Sequence, residues 1–141
     1  MDSDRKFKIG LGLLVASTVI HIIAYLVAQS EHIFDPSWPM HARFHTLQAL
    51  IWIVGLNATL LVVILGPLRQ RKTWALPTIA TGGVTAQGAY FATIALLPAG
   101  RPPELSAHLI MAVLTIAFVI GFFLVWSVLR STRHSTSPAG H

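Results

Sequence analysis

The sequence predicts an all-α fold, a four-helix transmembrane bundle with antiparallel neighbours, and three observations carry that prediction. Of 141 residues, 54% are hydrophobic and only 11% are charged, against roughly 25% charged in soluble domains. Four apolar runs, Ile9 to Gln29, His45 to Gly66, Trp74 to Leu97 and Leu105 to Leu129, match the ~20 residues that cross a hydrocarbon core. The connections between them are short, which makes consecutive helices antiparallel. The chain, 1–141, therefore reads as a single integral membrane domain with helices near 9–29, 39–66, 74–97 and 105–130.

The first span follows "MDSDRKFK", expected to be a solvated tail. Its apolar run is too long for a cleaved leader and no A-x-A site precedes a soluble domain, so it is kept as a span. In "SEHIFDPSWPMHAR", Ser37 as N-cap with Pro39 in the first turn starts the second helix before His41. His41 and His45 then stand at i and i+4 on one face. Gly66-Pro67 is expected to stop this helix. The third span pairs small residues at helical spacing, Gly82 with Ala86 and Gly88 with Ala92, which permits close helix or subunit contact. After "PAGRPPE" the fourth helix opens near Glu104 to Ser106, and "RSTRHSTSPAGH" forms a second solvated tail.

The net charge is +5, and eight of the ten cations (Arg5, Lys6, Lys8, Arg69, Arg71, Lys72, Arg130 and Arg133) flank the spans on one predicted side. The positive-inside rule then puts both termini and the 67–73 loop in the cytoplasm. Because the cations sit at span ends rather than on one polar face, the partner they indicate is the lipid bilayer and not nucleic acid. Cysteine is absent, which excludes disulfides, thiolate haem ligation and iron–sulfur clusters.

Polar side chains inside spans face protein or a cavity, and ionisable ones are functional candidates. Here they are Ser17, His21 and Tyr25 on the first helix; His41, His45, Gln48 and Trp52 on one stripe of the second, with Asn57 about 120° away. The third carries Gln87 and Tyr90, and the fourth Glu104, His108 and Thr115. His21, Tyr25, His45, Gln48, Gln87, Tyr90 and His108 fall in the outer half of the bilayer, where a polar pocket accounts for them. Interhelical hydrogen bonds and an aromatic belt of Tyr25, Trp38 and Trp52 account for the same residues. Di-iron chemistry needs several inward carboxylates, whereas Glu31, Asp35 and Glu104 lie in loops or at helix ends. Zinc would require His41, His45 and His108 to converge. Haem needs one or two imidazoles and an apolar slot, which suits scattered single histidines best.

The stretch "ARFHTLQAL", Ala42 to Leu50, resembles the A-R-A-H-S-x-x-A-L motif of the membrane-bound styrene oxide isomerases, four-helix proteins of bacterial styrene degradation. The family's catalytic tyrosine lies 45 residues past the motif histidine, and here Tyr90, in "QGAYF", stands 45 past His45. The resemblance implies an integral enzyme of the bacterial inner membrane and a homotrimer holding haem b between subunits. It makes His45 the axial ligand of the haem iron and Tyr90 the catalytic donor. It further implies isomerisation of a small hydrophobic aryl epoxide to an aldehyde, with ferric iron as Lewis acid and a 1,2-hydride shift. The family's asparagine four before the tyrosine falls on Ala86, so Gln87, the nearest amide, is expected to take its catalytic place beside Tyr90, and the family's tryptophan four before the histidine falls on His41. His41 is expected near the haem edge, and Arg43 pairs a propionate or a lipid phosphate. Two other readings stand beside this one. One is a b-type cytochrome with His21 or His108 opposite His45; the other is a metal-free isomerase or lipid-binding bundle using Asp35, Glu104 and His108.

Overall fold

The computed structural model describes residues 2–100, 102 and 104–135. It has four α-helices: α1 (Ser3–Phe34), α2 (Met40–Val63), α3 (Ala75–Leu96) and α4 (Leu105–Ser135). Each packs on its sequence neighbours, and α1 also packs on α4, the most extensive of the contacts. The helices thus form a closed ring with α1 and α3, and α2 and α4, on its diagonals.

α1 is longer than its apolar run. Its 32 residues reach about 48 Å, well past a ~30 Å hydrocarbon core, so both ends emerge from the bilayer. The segment expected as an N-terminal tail is helical from Ser3 because Asp4 bonds Lys8 at 2.8 Å and Arg71 at 2.6 Å. Its other end continues to Phe34 and stops at Asp35, which Pro36 forces into an extended conformation (φ −71°, ψ 114°). α4 likewise runs beyond residue 130 to Ser135. The final six residues of the expected C-terminal tail, 136–141, lie outside the described residues.

Two further expectations are corrected. Ser37 is not the N-cap of α2; its amide bonds the Asp35 carboxylate at 2.8 Å in a turn, and Pro39 takes the cap position. Nor does Gly66-Pro67 end the second helix. Pro67 has no N–H, and the backbone accommodates it by widening into a π-helical turn over Ile64–Leu68, with Arg69 N–H bonded to Ile64 O. The helix stops one turn later, where Lys72 N–H bonds Pro67 O and Arg71 N–H bonds Leu68 O. This is a Schellman closure with Arg71 at φ 62°, a position normally held by glycine. Arg71 earns retention there through its side chain, which reaches Asp4 and lies over the Phe7 ring at 4.3 Å.

Among the described residues three helices are long and apolar enough to cross a membrane: α1, α2 extended through Leu68, and α4 up to Ser131. α3 has 22 residues, about 33 Å, and is not among them; Gly82, Gly83, four threonines and Gln87 interrupt its apolar run. Thr85 and Thr93 offset this by donating to carbonyls of their own helix, Thr81 O and Ala89 O.

Glycines set the tightest contacts. A Cβ at Gly10 on α1 would lie 2.8 Å from Gly121 O on α4, and one at Gly121 would lie 2.8 Å from Gly10 O. On α3, Gly82 receives Leu60 of α2 and Gly83 receives the Phe118 ring of α4. Gly82 and Ala86 are buried here, whereas Gly88 meets only its own helix and Ala92 is exposed. The apolar core of Leu14, Leu60, Ile64, Leu68, Ile79 and Val125 concentrates toward the end carrying the termini.

Gly121→Ala should therefore push α1 from α4 and lower stability by about 1–3 kcal/mol in detergent unfolding. Gly12→Ala, which meets nothing within 4 Å, should raise it by about 0.5–1 kcal/mol. Equal responses at the two sites would contradict the backbone-contact account.

Candidate functional site

Among the described residues five polar ones are buried in the ring: Ser17, Thr18, His21, Asn57 and Gln87. Ser17 and Thr18 donate to Leu14 O of their own helix, at 3.1 and 2.7 Å. His21 and Asn57 join α1 to α2. Asn57 Nδ2 donates to Ile53 O at 2.8 Å, so its Oδ1 is the atom 3.2 Å from His21 Nδ1. His21 Nδ1 must then carry the hydrogen, which leaves Nε2 with its lone pair, fully buried and without a partner among the described residues. Gln87 Oε1 on α3 is a second buried acceptor without a partner.

One turn beyond His21, Tyr25 sets its ring edge-on to the imidazole, centroids 4.8 Å apart. Tyr25 is also an electrostatic neighbour of Tyr90, diagonally across the ring on α3. Because α1 and α3 run parallel, His21 and Gln87 occupy the level one turn below this tyrosine pair. Tyr90 in turn joins α3 to α4: its hydroxyl lies 2.8 Å from His108 Nδ1, and His108 Nε2 lies 3.0 Å from Pro102 O. A carbonyl only accepts, so His108 carries its hydrogen on Nε2 and Tyr90 donates to Nδ1.

The second helix presents a different environment. His41 and His45 are exposed, with their Nε2 atoms 3.1 Å apart and their rings nearly perpendicular at 4.4 Å. Phe44, Leu47, Ile51 and Trp52 are exposed beside them, so this pair sits on an outward apolar face. The expected single pocket is thus divided: His21 and Gln87 are buried inside the ring, Tyr25, Tyr90 and His108 are half-buried beside them, and His45 is outside. Gln48 is half-buried between the two. Arg43 turns toward α1 and donates from Nε to Ile33 O at 2.6 Å, closing the α1–α2 connection. His32 stacks on Trp38 in the same connection, centroids 4.4 Å apart.

The zinc set considered from sequence is not assembled, because both His108 nitrogens are engaged away from the His41–His45 pair. Among the described residues no three histidines or carboxylates converge on a metal position. Glu104 is exposed just ahead of α4. Asp35 accepts from the Ser37 hydroxyl and amide, which hold its carboxyl below the usual carboxylate range. It is therefore ionised at neutral pH and serves the turn rather than acting as a proton donor.

Asn57 as partner of His21, and His108 as partner of Tyr90, are pairings that sequence spacing alone does not reveal. A signal for the second exists: the short 97–104 connection brings the last turns of α3 beside the first turn of α4. Protein-family models, curated proteins and solved structures were all compared with the chain, and none matches it.

Asn57→Leu should strand the buried His21 N–H and lower stability by about 1–2 kcal/mol, while His21→Leu/Asn57→Leu together should cost less than the two changes summed. Unfolding in detergent measures this; strict additivity would contradict the pairing.

Proposed function

We propose that this chain is a membrane-embedded isomerase that converts a small hydrophobic epoxide of aryl type to an aldehyde. It uses haem b held by His45 and works as a homotrimer in a bacterial inner membrane. The observation that carries the proposal is the outward position of the His45 imidazole on an apolar face of α2. A haem shared between subunits requires its ligand on that kind of surface, away from the protomer's own core.

The residues fit the group. In the His41–His45 contact one Nε2 donates to the other, so the donor ring keeps its Nδ1 lone pair for a metal. The flanking Phe44 and Trp52 offer apolar contact for a porphyrin, and one axial imidazole suffices for haem. His45 would hold the iron, with His41 as its polar neighbour. Arg43, engaged through Nε with Ile33 O, serves the α1–α2 connection as well as any propionate. When bound, haem b supplies a ferric Lewis acid for the epoxide oxygen.

The conversion is redox-neutral. The benzylic carbon–oxygen bond breaks, a hydride moves from the oxygen-bearing carbon to the benzylic carbon, and no oxidant is consumed. Within one protomer Tyr90 lies apart from His45, so in the proposed trimer it would face the haem held by a neighbouring subunit, its hydroxyl held ready by His108. A substrate oxygen gathering negative charge can accept that hydrogen bond in place of His108 Nδ1, from a donor already oriented. His108 stays anchored to Pro102 O and recovers the hydroxyl when product leaves. Gln87 sits buried one turn deeper, its carboxamide oxygen unpaired, as a polar boundary to the site. Epoxides of this kind partition into bilayers, which favours a membrane-resident enzyme.

The Tyr90–His108–Pro102 chain also favours a second reading, metal-free isomerisation by proton transfer. The two differ in whether haem-free protein is active. With haem-loaded protein and an aryl epoxide, aldehyde should form, and Tyr90→Phe should lower kcat by about 10²–10³ at unchanged haem content. His45→Ala should lose haem and turnover together. Absence of aldehyde from wild-type protein, or a wild-type rate in Tyr90→Phe, would overturn the proposal.

A further inference from the structure

A groove of about 590 Å³ opens between α3 and α4 at the end of the bundle that carries the termini. Leu76, Pro77, Ala80 and Phe122 make its apolar floor, and Trp74, Trp126 and Arg130 stand at its mouth. The two indoles are exposed, as in the aromatic belts of membrane interfaces. Arg130 is exposed too, its guanidinium 5.2 Å from the Trp126 ring, and no carboxylate among the described residues pairs with it.

The geometry points to a binding site for one anionic phospholipid, its acyl chain along the Leu76–Ala80 floor and its phosphate at Arg130. Charge decides the occupant. This end also carries Arg5, Lys6, Arg69 and Lys72. Of the acidic residues near it, Asp4 is already committed to Lys8 and Arg71. A second copy in the same membrane has the same orientation, so at this depth it presents the same cations, and like charges oppose that contact. An anionic head group complements them, as basic pockets between membrane helices do. The site is separate from the Tyr90 and His45 regions, which lie at the opposite end of α3 and α2.

The test is native mass spectrometry of the full chain in mild detergent, titrated with phosphatidylglycerol or phosphatidylcholine of identical acyl chains. Wild-type protein should retain one phosphatidylglycerol per chain in preference to phosphatidylcholine. Arg130→Gln should weaken that retention about fivefold, and Ala80→Trp, which fills the groove, should abolish it. Equal retention of both lipids by wild-type protein would overturn the assignment, as would unchanged phosphatidylglycerol retention in Arg130→Gln. So would dissociation of an oligomer by Ala80→Trp with lipid retention intact, since the groove would then hold a second copy.

Discussion

The contact between Gly10 and Gly121 is the constraint on which the bundle depends. Lipid is as apolar as leucine, so helices in a membrane gain little from burying hydrophobic surface and rely on close van der Waals contact. Backbone can meet backbone only where neither helix carries a side chain, and α1 and α4 meet there. That crossing joins the first helix to the last and closes the ring. α3 is then held more lightly, by Leu60 seated on Gly82 and Phe118 on Gly83.

Close packing at one end has a consequence for the other. Apolar side chains fill the ring near the termini, and the polar residues are displaced toward its middle and far levels. There each polar group must find a partner, because an unpaired one in a dry interior is costly. His21 and Asn57 meet this demand for α1 and α2, and Tyr90 and His108 for α3 and α4. Two acceptors, His21 Nε2 and Gln87 Oε1, find no partner among the described residues. A region whose hydrogen bonds join helices rather than close within them can exchange partners with a ligand, which suits it to chemistry better than the packed end.

Fold class was legible because apolar runs and short connections leave few alternatives. Boundaries were less so. The extension of α1 to Phe34 depends on where Pro36 stops it, and the passage through Pro67 depends on a π-turn, one of two ways a helix can answer a proline. Gly10 and Gly121 are single small residues whose partners lie far apart in sequence, so spacing within one helix directed attention to Gly82, Ala86, Gly88 and Ala92 instead. In the site, Tyr90 and His45 are named by residue type and motif, but their directions are not. The stripe His41, His45, Gln48 and Trp52 has helical period whether it faces inward or outward, and that choice is made by Asn57, Leu60 and Ile64 taking the inner face.

At the centre of the proposed function stands one imidazole, His45 on the outward face of α2, which would hold a haem iron. The absorption spectrum of protein purified from haem-supplied cells, recorded before and after addition of an aryl epoxide, tests this most directly. The account predicts a Soret band that shifts on addition of the epoxide. A colourless protein, or a band that the epoxide leaves unmoved, would contradict it.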